Sequence, residues 1–326
     1  MEAVIERSLR VGELTFNLAE CGEGPPVLFL HGFPDSWHLW RQQMSAVAQA
    51  GYRAIAPDLR GFGNSDRPGA VEEYSLPLLL GDVTGVLDEL GLDRVSVISH
   101  DWGAVLAWAF ASLVPDRVEK LVAVSMGHPE AFPAAGIKQK QLSWYTLWFQ
   151  FPGVAEMALP EDDWAFFLEW SWGGITRGSD VDAERQIADL SRPGALTAGL
   201  KWYRANVSPD SFHRTKTPFD HPPVWCPTMG VWGTGDPSLS EAQMRGSEQF
   251  VAGPWRYERM EGADHWVPVH ASGELNRLIL DFLAHPSSRE PARVTSVVKV
   301  AGADAYRRLA RESPTPTDGS GSDGGG

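Results

Sequence analysis

Short continuous apolar runs alternate with segments of helical apolar spacing along most of this chain. Pro26-Val27-Leu28-Phe29-Leu30, Tyr52-Arg53-Ala54-Ile55-Ala56, Arg94-Val95-Ser96-Val97-Ile98 and the run from Leu121 to Ser125 read as strands buried on both faces. Helical spacing covers Trp40 to Ala50, Leu78 to Leu90 and the stretch from Val105 to Phe110. Two opening strands are expected around residues 5–10 and 14–19. This alternation predicts an α/β fold: a mostly parallel sheet with helices on both faces. In such sheets chemistry collects beyond the carboxyl ends of the strands.

The alternation stops near His128. Residues 128–223 are rich in Trp, Phe, Leu and Ala with Pro and Gly punctuation, which predicts several short helices inserted as a lid over the strand ends. It resumes with a strand at Pro227 to Trp232, a helix near 241–251, a strand at Trp255 to Met260 and a helix near 273–284. The expected organisation is a core of residues 1–127 and 224–285, a lid of 128–223, and a C-terminal extension of 286–312 with a helix over 303–311. The Pro-, Ser- and Gly-rich tail, 313–326, should be disordered. Of fourteen tryptophans, seven lie between His128 and Pro227. Any pocket walled by that segment would be apolar.

Composition narrows the field without choosing within it. The 326 residues are 43% hydrophobic and 21% charged, ordinary for a soluble chain with a large core. A formal charge of -14 argues against nucleic acid or an anionic membrane as partner. No apolar run approaches the roughly 20 residues that span a bilayer. The N-terminal residues lack a signal-peptide core, so a cytoplasmic location is expected. Cys21 and Cys226 are too few and too scattered for a disulfide framework or a zinc site. No P-loop, GxGxxG, HExxH or paired CxxC is present. Both a monomer and a homo-oligomer are compatible with this composition.

The segment Ser99-His100-Asp101-Trp102-Gly103-Ala104 lies between a predicted strand and a predicted helix. Strand, sharp turn, helix is the layout of a nucleophile elbow, with small residues two before and two after the tip. The tip is Asp101 rather than Ser. Aspartate before a helix is commonly only an N-cap. A carboxylate is already ionised at neutral pH, however, and can attack an sp3 carbon to give an alkyl ester that water must then hydrolyse. Such a nucleophile suits opening an epoxide or displacing a halide, not peptide cleavage.

That chemistry needs donors for developing negative charge, a base for water, and an acid to orient the base. His31-Gly32-Phe33-Pro34 follows the first apolar run, and its turn would aim the Phe33 N–H, with that of Trp102, at the intermediate's oxygen. Asp236 ends another strand in a Gly-rich turn, and His265 follows the last strand. Each alone is commonly structural. The order Asp101, Asp236, His265 is nevertheless the nucleophile–acid–histidine order of α/β-hydrolases, each at a strand end. Asp264 competes for the acid role, but neighbours in sequence seldom turn a carboxylate onto the adjacent imidazole. Opening an epoxide also needs an acid for the ring oxygen. Tyr145 and Tyr203 are the tyrosines of the lid, and phenols stay protonated at neutral pH.

Across residues 10–285 the chain resembles the epoxide hydrolases of the α/β-hydrolase superfamily. The resemblance rests on His31-Gly32-Phe33-Pro34-Asp35-Ser36-Trp37, where Glu is frequent at the Asp35 position, and on His100-Asp101-Trp102-Gly103-Ala104. It extends to the lid, in Ser143-Trp144-Tyr145-Thr146-Leu147-Trp148-Phe149-Gln150-Phe151-Pro152-Gly153 and Leu200-Lys201-Trp202-Tyr203-Arg204. It implies Asp101 as nucleophile, His265 with Asp236 as the base pair for water, Tyr145 and Tyr203 as acids, and no cofactor or metal. His31, Pro34 and Trp37 become candidate substrate-pocket residues. The expected partners are water and a small apolar epoxide, alkyl or aryl. A haloalkane dehalogenase shares the nucleophile and triad, with Trp102 as a candidate halide donor. A non-enzymatic ligand-binding protein on the same fold would typically have lost triad members.

Overall fold

The apolar runs form one sheet of eight strands in the order β1-β2-β4-β3-β5-β6-β7-β8. They are Ile5–Val11 (β1), Leu14–Cys21 (β2), Pro26–Leu30 (β3), Arg53–Pro57 (β4), Val95–His100 (β5), Val118–Val124 (β6), Thr228–Gly233 (β7) and Trp255–Met260 (β8). β2 is antiparallel to both neighbours, and the remaining pairs are parallel. The computed structural model describes residues 4–213 and 221–285. The predicted 303–311 helix, the 286–312 extension, the 313–326 tail and residues 214–220 of the insertion lie outside them.

Helices Arg41–Gln49 (α1), Leu76–Glu89 (α2) and Trp102–Leu113 (α3) connect the first six strands. Between β6 and β7 come Ala131–Ala134 (α4), Gly136–Leu142 (α5), Tyr145–Trp148 (α6), Val154–Ala158 (α7), Glu161–Trp172 (α8), Val181–Leu190 (α9) and Ala195–Asn206 (α10). Glu241–Gly246 (α11), Val267–His270 (α12) and Ser272–Ala284 (α13) are the last helices of the described residues. Expectation and structure differ over residues 241–251, where the helix stops at Gly246 and tightens into a 3-10 turn over Ser247–Phe250. There the Ser247 hydroxyl donates to the Gln243 carbonyl, and a side chain bonded to the backbone weakens a helix interior.

Two cores flank the sheet because successive side chains of a strand point to opposite faces. Leu28 and Leu30 of β3 pack with Leu79 and Val83 of α2 and Leu106 of α3. Val27 and Phe29 pack on the other face with Met44 and Val47 of α1 and Leu275 and Leu278 of α13. β5 is buried along its whole length, as its unbroken apolar character requires.

This topology decides where a site forms. From β3 the chain moves to β4 on one side, then returns to β5 on the other, so the strand order reverses between β3 and β5. Leu30 pairs with Ser99, which sets the turn after β3 beside the turn after β5. A crevice outside the carboxyl ends follows from that reversal. The helical insertion is tied across it: Arg41 pairs with Asp182 of α9, and the Trp202 indole of α10 donates to the Arg60 carbonyl. Among the described residues, no helix is long and apolar enough to cross a membrane.

Candidate active site

Asp101 joins β5 to α3 with φ 52° and ψ -123°. An L-residue adopts positive φ only under strain, and the surrounding structure must hold it there. Close backbone approach does so. A Cβ at Gly103 would collide with the carbonyls of Leu30 and His31, so only glycine lets α3 start this near β3. Gly32 is equally constrained, since a methyl there would strike the Asp101 carboxylate and lie 2.7 Å from the Trp102 nitrogen. The pair of glycines brings the Phe33 N–H to 2.9 Å from Asp101 Oδ1, and the Trp102 N–H also donates to this carboxylate.

The two other predicted strand-end residues meet Asp101. His265 Nδ1 lies 2.9 Å from Asp236 Oδ2, and His265 Nε2 lies 3.7 Å from Asp101 Oδ2. Asp236 Oδ1 accepts from the N–H groups of Ser238 and Leu239, so the loop itself aims the carboxylate. Asp264 turns elsewhere: it accepts from the Trp266 N–H and pairs with His270 at 2.7 Å. Burial pulls the His265 imidazole down, but Asp236 and Asp101 outweigh it and raise it to about 9. Burial pushes the Asp101 carboxyl up, while His265 and the Trp102 and Phe33 N–H groups pull it back. The two side chains lie within ion-pair distance and titrate as a coupled unit.

A cavity opens onto this pair. Phe33, Pro34, Asp101, Pro237, Ser238, His265 and Trp266 line it from the sheet side. Tyr145, Trp170, Ser171 and Tyr203 line it from the insertion. The two tyrosine rings lie 6.1 Å apart, edge to face, and both side chains are buried. Burial first, then the Asp101 charge, raises both phenols above their ordinary range, so each stays a neutral donor. The Trp102 ring stands edge to face with that of Tyr203 at 5.1 Å, and the Trp102 and Ser238 side chains beside the two phenols pull them back in part.

An α/β-hydrolase fold model matches residues 25–270. The chain is 32% identical to epoxide hydrolase A of Mycobacterium tuberculosis, over 87% of this chain and 98% of that one. It is 35% identical to epoxide hydrolase 3 of Xenopus tropicalis, over 79% and 71%. A variant of an epoxide hydrolase from Bacillus megaterium superposes with a TM-score of 0.77 at 27% identity, covering 86% of this chain and all of that one. The chain belongs to the epoxide hydrolase family of the α/β-hydrolase superfamily.

Within this epoxide hydrolase fold, two expected pocket residues face away from the cavity. His31 is fully buried, and its Nε2 accepts the Leu59 N–H at 3.0 Å while its Nδ1 donates to the Gly32 carbonyl. Its ring props the Leu59–Phe62 turn. Trp37 sends its indole to Glu6 at 3.1 Å and packs against the α1 face of the sheet. Pro34, the third, does line the cavity.

Other groups around the site, His100 and Asp35 within the quoted motifs among them, are given no role by the sequence. His100 donates from Nε2 to the His265 carbonyl at 2.8 Å, and the Ser125 hydroxyl reaches the same carbonyl at 3.2 Å. Burial holds His100 well below the usual imidazole range, so this donor is neutral. Asp35 is buried, with Oδ1 accepting from Gln186 of α9 at 3.0 Å and Oδ2 unpartnered. Burial pushes its carboxyl up to about 8, further supported by Asp182 and Asp101. The one available signal was its place two residues after Phe33 in a buried turn. Among the described residues, no group of three or more His, Cys, Asp or Glu side chains could hold a metal ion.

Proposed function

We propose that this chain hydrolyses an epoxide to a vicinal diol through an alkyl ester on Asp101. The carrying observation is one cavity lined by a carboxylate, a histidine paired with a second carboxylate, and two protonated phenols. Asp101 Oδ1 is already engaged by the Phe33 N–H, which leaves Oδ2 as the attacking oxygen. Oδ2 bonds to an epoxide carbon, the ring C–O bond breaks, and the leaving oxygen takes a proton from Tyr145 or Tyr203. Without that proton an alkoxide would have to leave, so the phenols supply general-acid catalysis.

Esterification then changes the histidine. Asp101 loses its charge, and with it one of the influences that raise His265. His265 gives up its proton more readily, returning it to the phenolate left by ring opening, and becomes the base for a water at the ester carbonyl. The tetrahedral oxyanion on Oδ1 is held by the Phe33 and Trp102 N–H groups, geometry that is worth several kcal/mol (about 2.7–4 for one such donor) elsewhere. Collapse breaks the bond between the carbonyl carbon and the former Oδ2, which takes the proton held by His265 and leaves as a diol hydroxyl. The proton of the re-formed carboxyl passes back to His265, so the balance is epoxide plus water to diol.

Use of Trp102 as a halide donor is disfavoured, because Trp102 is not among the residues lining the cavity. An apolar alkyl or aryl epoxide suits walls made of Phe33, Trp170 and Trp266. The insertion, residues 128–223, serves as the lid that brings the phenols to the strand ends. A single turnover with excess enzyme in H2(18)O tests the reading. The ester route puts an unlabelled enzyme oxygen into the first diol and leaves the label in the peptide containing Asp101. Label in the first diol would mean direct attack by water and would overturn it.

A further inference from the structure

Ser238 is two residues beyond the triad acid and has a bond to each side of the cavity. Its N–H donates to Asp236 Oδ1 at 2.8 Å, on the loop that follows β7. Its carbonyl accepts from Gln139 Nε2 at 3.0 Å and from the Ser143 hydroxyl at 3.1 Å. Gln139 lies in α5, and Ser143 precedes Tyr145 by two residues. Gln139 is fully buried and has no spare capacity: its oxygen accepts from the Ser240 N–H and hydroxyl, each at 2.8 Å, and its amide nitrogen also donates to Ser143. A buried network in which every member is satisfied fixes geometry strongly. What it fixes is the position of residue 238 relative to residue 145. Ser238 and Tyr145 line the same cavity, and the Ser238 side chain is close enough to the Tyr145 phenol to favour its ionised form.

A phenol oxygen that accepts a hydrogen bond must send its own proton in another direction. It also takes on negative charge more easily when its proton leaves, because a donor is already aimed at it. We propose that Ser238 is a positioning residue for ring opening: its hydroxyl donates to the Tyr145 oxygen, turns the phenol proton into the cavity, and supports the charge left behind. This rests on the Asp101-ester reading above. It also makes the two phenols unequal in their support. Tyr203 has Trp102 beside it, next to the nucleophile, whereas Tyr145 has Ser238, on the loop that carries Asp236.

The main-chain bonds of residue 238 survive loss of its side chain, so Ser238→Ala removes the hydroxyl alone. Stopped-flow tryptophan fluorescence during single turnover of styrene oxide, used as probe, separates ester formation from ester hydrolysis. The expected result is ester formation slowed about fivefold, less than loss of the phenol itself because the proton donor remains, with hydrolysis unchanged within twofold. Ser238→Thr, which keeps the hydroxyl, should restore ester formation. In a Tyr145→Phe background, Ser238→Ala should have almost no further effect, while in a Tyr203→Phe background its full effect should persist. Two results overturn the proposal while leaving the ester reading intact: unchanged ester formation in Ser238→Ala, or an equal loss in the Tyr145→Phe background. Absence of any ester in the wild-type enzyme overturns both together.

Discussion

The strand ends of the sheet and the helical insertion face one cavity, yet they supply opposite kinds of group. The sheet side brings the charges: Asp101, Asp236 and His265, each held by main-chain N–H groups, carbonyls or a partner side chain. The insertion brings neutral phenols and apolar walls, Tyr145, Tyr203 and Trp170. The division has a physical basis. A buried charge is tolerated only where donors or counter-charges are fixed in advance, and parallel strand ends with tight glycine turns fix them. A neutral phenol needs only to be buried and pointed, which short helices can do. Charge placement therefore lives in the sheet, and apolar shape and neutral phenols live in the insertion.

Removing both phenols should break the insertion's share most severely. Tyr145→Phe/Tyr203→Phe is expected to slow ester formation by on the order of 10³-fold or more, while folding and Asp101 are left in place. Rapid-quench measurement of ester checks it, and near wild-type rates would return these residues to packing. On the sheet side, Gly32→Ala puts a methyl against the Asp101 carboxylate and the Trp102 N–H. Ester hydrolysis should fall by about 10²-fold as the oxyanion donors are displaced. An unaffected hydrolysis rate would mean that these N–H groups do not serve the intermediate. Single Tyr→Phe replacements should cost roughly 10-fold each, since one donor remains.

The smallest effect concerns the seam between the two regions, where Asp35 bonds Gln186. Its carboxyl, raised by burial to about 8, holds its proton in the folded chain at pH values where an unfolded aspartate, near ~4, is ionised. The stability it contributes is full below the unfolded value and is lost as pH rises through the folded one. Thermal melts should therefore decline more steeply between about pH 4 and 8 for the wild type than for Asp35→Asn. Parallel curves would mean that Asp35 is ionised at neutral pH.

How much of this was legible in the sequence follows the same division. The strand Trp255–Met260 and the switch from strand to helix at Asp101 are local patterns, written in apolar periodicity and in the small residue at position 103. Asp264 could be set aside as the triad acid from adjacency alone, and its carboxylate does pair with His270 instead. His31 and Trp37 sit in the same short turn as Phe33, but their direction is set by Leu59 and Glu6, which no local pattern reveals. Asp35 and Gln186 are 151 residues apart, and Gln139 and Ser238 are 99 apart. Such bonds depend on how the insertion folds back over the sheet, and a single chain read in order carries no signal for that register.

The most direct test of the central claim is the intact mass of His265→Gln after mixing with styrene oxide. The sheet supplies a nucleophile and a separate base, so attack should proceed while hydrolysis stalls. One adduct per chain, carrying the full mass of the epoxide and absent when Asp101→Ala is added, is the predicted result. A His265→Gln enzyme that turns over with no adduct, or one whose adduct persists without Asp101, would contradict the account.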